Sequence, residues 1–483
     1  MPLPEPSRHS PGALVWLSLL VAGCSGGAGS CSFSVDAVAG PGELRTLTGA
    51  ATRVVWVQGD GTDPDAGGDQ LVLMGLDSED GKGERVILGD RRSRTMPRLT
   101  PRGNRIVFSS RIVPGPPEIF VVNWDGTGLR KLADGFAMAL WQNPADGSEW
   151  VYAGSDNRQF DFATVTRFPI DAPGRRELVW NATMVSMEGF GVTPDGRRLS
   201  GMFPWPAAGV ADVTSKTWKK LGEGCYTSLS DARGPLFWFF DGAHRNVTMV
   251  DVDSSKRWMV NIATAPGFGG AEVSHPRWTN HPRFLTMTGP YNQGGPNQSR
   301  TGGKQTEVYV GRFSADFAKV EGWARVTSNA WGDSHPDVWI DVARSPHPRR
   351  PSGSIGPATA AGRAATGAAA GQAAAGRLVV DVRLRKPGTI PAPKSILPYR
   401  HALVVNEYEI LKVVQGTAAE RTIHIAQWAI RDGRELAGAR KSAGATFTLT
   451  VERYDAHSEL EGERLISDGA TSGLPLYYDV GRP

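Results

Sequence analysis

One unit recurs over residues 44–341: an apolar strand, a tight polar turn, a second apolar strand, another polar turn and more strand. Its sharpest copy covers residues 97–111 (PRLTPRGNRIVFSSR) and 118–132 (EIFVVNWDGTGLRKL). There Ile106, Phe108, Ile119 and Val121 alternate with their neighbours, as half-buried strand residues do. Pro101-Arg102-Gly103-Asn104 and Asp125-Gly126-Thr127-Gly128 supply the positive backbone angles of tight turns. Looser copies turn at Pro144–Gly147, Pro194–Gly196, Asp231–Gly234 and Asn280–Arg283. The turns fall roughly 37 to 50 residues apart, the spacing of one four-stranded blade per repeat. Six blades fit between residues 44 and 343, the first over Arg53–Leu88. A strand at Asp337-Val338-Trp339-Ile340 is then left over. It is expected to return to the first blade and close the ring, which removes the exposed sheet edges. The expected class is therefore all-β, led by a six-bladed β-propeller.

Composition limits what such a ring does. Lys and Arg total 53 against 49 Asp and Glu, a formal net charge of +4. Without clusters of Lys and Arg this small excess gives no reason to expect a nucleic-acid partner. Three cysteines in 483 residues exclude a scaffold built on disulfides. Cys31 and Cys225 either pair or stay as thiols, and the sequence leaves both open.

Residues 13–22 (ALVWLSLLVA) form an apolar run that suits a signal-peptide core and is too short to span a bilayer. It ends in Leu20-Val21-Ala22-Gly23-Cys24, which resembles a bacterial lipobox. That resemblance implies cleavage after residue 23, acylation of Cys24 and a tether over 24–43. Several acyl chains give stable membrane attachment. Ser25 is not Asp, and by the usual sorting rule this implies the outer membrane. The expected location is the cell envelope, lipid-anchored, facing the periplasm or the cell surface.

The repeat at 96–132 resembles that of TolB-type propellers, and the other copies are degenerate forms of it. The resemblance implies the propeller fold and says little about function. After it, residues 344–377 are rich in Ala, Gly, Pro and Arg, with five Arg and no acid. Such a stretch is a tether or an electrostatic grip on anionic lipid or polysaccharide. Strand signals return at 378–384, 402–414, 422–428, 446–451 and 476–480. Five strands in residues 378–483 predict a small β-barrel or β-sandwich, with an order similar to an OB-like barrel.

No Gly-x-Ser-x-Gly elbow, His-Glu-x-x-His, paired Cys-x-x-Cys or Walker-type loop occurs. No catalytic residue and no cofactor is therefore assigned. Ser274-His275-Pro276-Arg277-Trp278 and Ser334-His335-Pro336-Asp337-Val338 hold corresponding places before innermost strands. His275 and His335 are the candidate ligands of a divalent metal, although two His alone are an incomplete site. Oligogalacturonate lyases, which are TolB-like propellers, hold a metal with His in this region. This chain departs from them, reading Leu285-Thr286-Met287-Thr288 where a His-Glu pair is expected. Arg98, Arg277, Trp278 and Asp337 are the candidate ligand-binding residues, since Arg at a funnel suits a carboxylate or a peptide C-terminus. The long polar loop Tyr291–Lys304 is placed to cover the channel. The sequence thus predicts a non-catalytic binding or scaffolding protein of the envelope, working through the propeller mouth. Its partners would be the membrane and an envelope protein or polysaccharide. The alternative is a metal-assisted enzyme acting on an acidic polysaccharide.

Overall fold

A computed structural model describes residues 40–62, 68–110, 116–158, 161–230, 235–268, 271–291, 303–347, 377–396, 399–460, 462–467 and 474–481. Cys24, Cys31, most of the 291–304 loop and nearly all of the 344–377 segment lie outside them. Among the described residues no helix is long and apolar enough to cross a membrane.

Six antiparallel units surround one axis, as the repeat predicts; five have four strands, and the third adds the two-residue strand Val185–Ser186. The innermost strands are Gly332–Ile340, Thr95–Leu99, Phe136–Gln142, Gly191–Val192, Cys225–Leu229 and Glu272–Trp278, for blades 1 to 6. Blade 1 joins the two ends of the ring. Gly332–Ile340 pairs with Thr52–Gly59, setting Val338 opposite Val54 and Asp337 opposite Val55. The leftover strand of the sequence is therefore the ring closure.

The core lies between blades and consists of the inward residues of neighbouring sheets. Trp56, Trp180 and Trp238 are each fully buried there. The Thr-Pro-x-Gly turns serve the same packing. Trp339 of blade 1 donates its ring N–H to the Pro101 carbonyl of blade 2, and Trp141 of blade 3 donates to Pro194 of blade 4. Each indole lies over the glycine that completes the turn. A Cβ on Gly103 would come within 2.4 Å of the Trp339 ring, and one on Gly196 within 3.0 Å of Trp141. Both glycines also hold positive φ, 69° and 71°, so shape and backbone angle make the same demand.

One helix, Pro41–Thr48, crosses the expected boundary between tether and propeller at residue 43. Pro41 starts it and Gly49 ends it in the left-handed region. Leu44 and Leu47 pack with Phe284, Val308 and Ala324 of blade 6.

The C-terminal strands form a closed barrel, which settles the choice between barrel and sandwich. Leu378–Lys386, Ala402–Gln415, Thr422–Arg431, Thr446–Arg453 and Leu476–Asp479 pair in the ring order 1-2-3-5-4. Only the third and fifth run parallel. The barrel rests on blades 4 to 6. Tyr399 packs edge-on against Trp205, its hydroxyl lies 3.2 Å from both Cys225 Sγ and His244 Nε2, and Leu465 N–H donates to Gly242.

Candidate binding channel

Five of the six innermost strands begin with the same irregularity. The ladder slips by a bulge in blades 1, 2, 3, 5 and 6. At the slip Met96, Tyr226, His275 and His335 hold φ of 50°, 42°, 52° and 52°. Gly189 precedes the short strand of blade 4 with φ 74°. A bulge re-aims the side chain it carries, and left-handed non-glycine residues cluster where a structure needs them. Here the result is a ring of residues around one end of the channel.

His275 and His335 come together in that ring, their centroids 4.1 Å apart and each residue 8% exposed. The edge of Tyr226 meets His275 at 5.5 Å. Thr288 Oγ1 lies 3.0 Å from His275 Nδ1, and the Tyr291 hydroxyl lies 2.7 Å from that Oγ1. Burial pushes the Tyr291 hydroxyl well above the usual phenol range. The two candidate metal ligands are therefore neighbours, but their surroundings are hydroxyls and rings. Among the described residues no group of three or more His, Cys, Asp or Glu is arranged to hold an ion. Two His with no third such ligand beside them among the described residues do not complete a metal centre.

Two residues further along, the ladders put Arg98, Arg277, Asp337, Ser228, Leu140 and Gly191 on a common rung, one from each blade. The charges fall on three adjacent blades, 6, 1 and 2. Arg277 Nε lies 3.0 Å from Asp337 Oδ1, and Leu99 N–H donates to Asp337 Oδ2 at 2.8 Å. Burial pushes the Asp337 carboxyl up, opposed by Arg277 and by that backbone N–H. Asp337 is thus spent on Arg277 and on its own framework. Arg98 differs. It is 2% exposed, and neither Nε nor Nη1 has a hydrogen-bond partner among the described residues. A buried guanidinium with two nitrogens unmatched is costly and rare, because the hydration of those donors is lost and nothing replaces it.

The channel encloses about 600 Å³ and is lined by these rungs and by the turns after them, including Pro101, Pro144, Pro194 and Asn280. Pro144 and Pro194 are exposed, so the turns form the open rim. The His and Met ring is the buried end, on the side where the inner strands of blades 5 and 6 begin, and there Cys225 and Glu272 meet the barrel. Trp278 belongs to the wall. It stacks on Trp238 at 4.1 Å and donates to the Pro282 carbonyl. Sequence reasoning found Arg98, Arg277 and Asp337 from their place beside the starts of inner strands, but missed Tyr226, Thr288 and Tyr291. The bulge beneath Tyr226 carries no proline, so nothing in the text of blade 5 marks it.

No protein-family model and no curated protein matches the chain. Among solved structures it is similar to TolB from Acinetobacter baumannii, at 15% identity over 61% of this chain and 69% of that one, with a TM-score of 0.41. A putative TolB from Agrobacterium tumefaciens is 13% identical over 44% of this chain and 87% of that one, TM-score 0.31. An oligogalacturonate lyase from Vibrio parahaemolyticus is 16% identical over 46% of this chain and 51% of that one, TM-score 0.25. The blade count rests on this chain's own strand pairing.

Proposed function

We propose that this chain is an envelope binding or scaffolding protein, anchored by lipid at Cys24, whose propeller channel receives an anionic group of its partner. The observation that carries the reading is Arg98, a buried cation among the residues that line the channel, whose Nε and Nη1 have no hydrogen-bond partner among the described residues. Its two charged neighbours already answer each other. An incoming carboxylate or phosphate would take up the unused donors of Arg98, and the low dielectric around it would strengthen that contact.

Thermal unfolding with benzoate and with inorganic phosphate tests this. Either anion, in excess over its Kd, is expected to raise the Tm of the wild type, in proportion to the logarithm of its concentration. Arg98→Met is expected to abolish the shift and, without anion, to be neutral or more stable by about 1–4 kcal/mol, since an unpaired buried charge has gone. An anion response that survives in Arg98→Met would remove the basis of the reading. The anchor has its own test: labelled palmitate should enter the wild type and be absent from Cys24→Ala, and label retained by the variant would refute it.

A further inference from the structure

Packed side chains crowd one end of the channel, and this bears on what enters it. There Met96, His275 and His335 are each 8% exposed. Tyr226, His275 and His335 touch ring to ring across three neighbouring blades. A chain end that enters from the rim of turns meets this ring, and Arg98 sits two residues after Met96 in the same strand.

We infer that the ligand is the carboxylate terminus of a peptide chain with apolar residues behind it, an inference that rests on the anion reading above. Three features point the same way. There is one guanidinium with unused donors, so one anionic group is matched. A repeating polyanion would bring further charges against a lining whose other rung charges, Arg277 and Asp337, are already paired at 3.0 Å. The remaining wall is mixed: Leu140, Trp141 and Trp339 stand with Thr100, Gln142 and Asn280. The apolar side chains of a peptide gain by burial against the former, and its backbone amides find hydrogen-bond partners among the latter. Finally, the flat fork of Arg matches a carboxylate by two parallel hydrogen bonds, a geometry Lys lacks. A cavity of about 600 Å³ lies within the usual range for a small enclosed ligand, which suits a few terminal residues.

A pool of fluorescently labelled apolar tetrapeptides, made once as free acids and once as C-terminal amides, tests the inference by fluorescence polarisation on the full chain. The free acids are expected to bind, and the amides to bind about 10- to 100-fold more weakly, the worth of a charge-assisted hydrogen-bonded pair. Arg98→Met should bring the acids down to the amides. Arg98→Lys, which keeps the charge and loses the fork, should fall between. Two outcomes overturn the chain-end inference while the anion reading stands: benzoate stabilises the protein but acid and amide pools bind alike, or an oligo-uronate binds in an Arg98-dependent way and the peptides do not. Failure of benzoate and phosphate as well would sink both.

Discussion

Trp56→Ala is expected to cost the propeller about 3–5 kcal/mol, the range for emptying a large aromatic site in a packed core. Trp56 lies in the second strand of the closing blade and is 0% exposed. Its ring N–H donates to Asp333 Oδ1 at 2.9 Å, and Asp333 belongs to the strand that closes the ring. The substitution therefore opens a cavity and also removes a hydrogen bond between the first and last strands of the wheel. Asp333 keeps donors from Gln58 and Asn329. Burial already raises its carboxyl to about 7, so losing a donor is poorly tolerated. Trp56→Phe restores most of the volume without the N–H and is expected to cost about 1–3 kcal/mol. Denaturant titration at pH 7 separates the two terms. A loss below about 1 kcal/mol for Trp56→Ala would show that closure does not depend on this contact. An opened ring would also expose two unpaired edges, so aggregation on partial unfolding is part of the expected result.

That closure was legible in the residues because a lone strand after six repeats has one economical destination. The blades were legible for a related reason: Thr-Pro-Arg-Gly and Thr-Pro-Asp-Gly turns mark where the inner strands of blades 2 and 4 end, and looser polar turns mark blades 3, 5 and 6. What could not be read was the use of those glycines, which make room for an indole from the preceding blade. Such a contact joins residues 238 positions apart for Trp339 and Pro101. No local pattern encodes it. The helix at Pro41–Thr48 escaped because two apolar residues, Leu44 and Leu47, are too few to set a period, although Pro41 and Gly49 bracket it. In the channel, sequence position placed Arg98, Arg277 and Asp337 together but could not show which arginine Asp337 would choose. That choice, Arg277, is what leaves Arg98 available, and it follows from three-dimensional reach rather than residue type. The docking of the barrel was likewise hidden, since Arg464 and Glu272 lie 192 residues apart.

That pair carries the second large effect. Arg464→Met is expected to destabilise the protein by about 3–5 kcal/mol at pH 7, because it strands a buried carboxylate. Arg464 Nη2 lies 2.6 Å from Glu272 Oε2, with the two side chains 8% and 1% exposed. Arg464 also donates to the Gly242 carbonyl at 3.0 Å, so one guanidinium joins the barrel to blades 5 and 6. Burial alone would raise the Glu272 carboxyl, but Arg464 and then His244 outweigh it and hold it at about 2. The sign of the pH dependence follows. In the wild type the folded pKa is depressed, so the pair's contribution is full above the ordinary value of 4.5 and is lost as pH falls toward 2. In Arg464→Met burial dominates instead, the folded carboxyl prefers its proton, and stability falls as pH rises through 4.5. The gap between the two proteins should therefore be wide at pH 7 and narrow toward pH 3.5. Adding Glu272→Gln to Arg464→Met should recover part of the loss at pH 7 and little at pH 3.5, a coupling that a double-mutant cycle reads directly. A gap independent of pH would mean that Arg464 acts by packing alone, and the buried charge pair would then not be what fastens the barrel to the propeller.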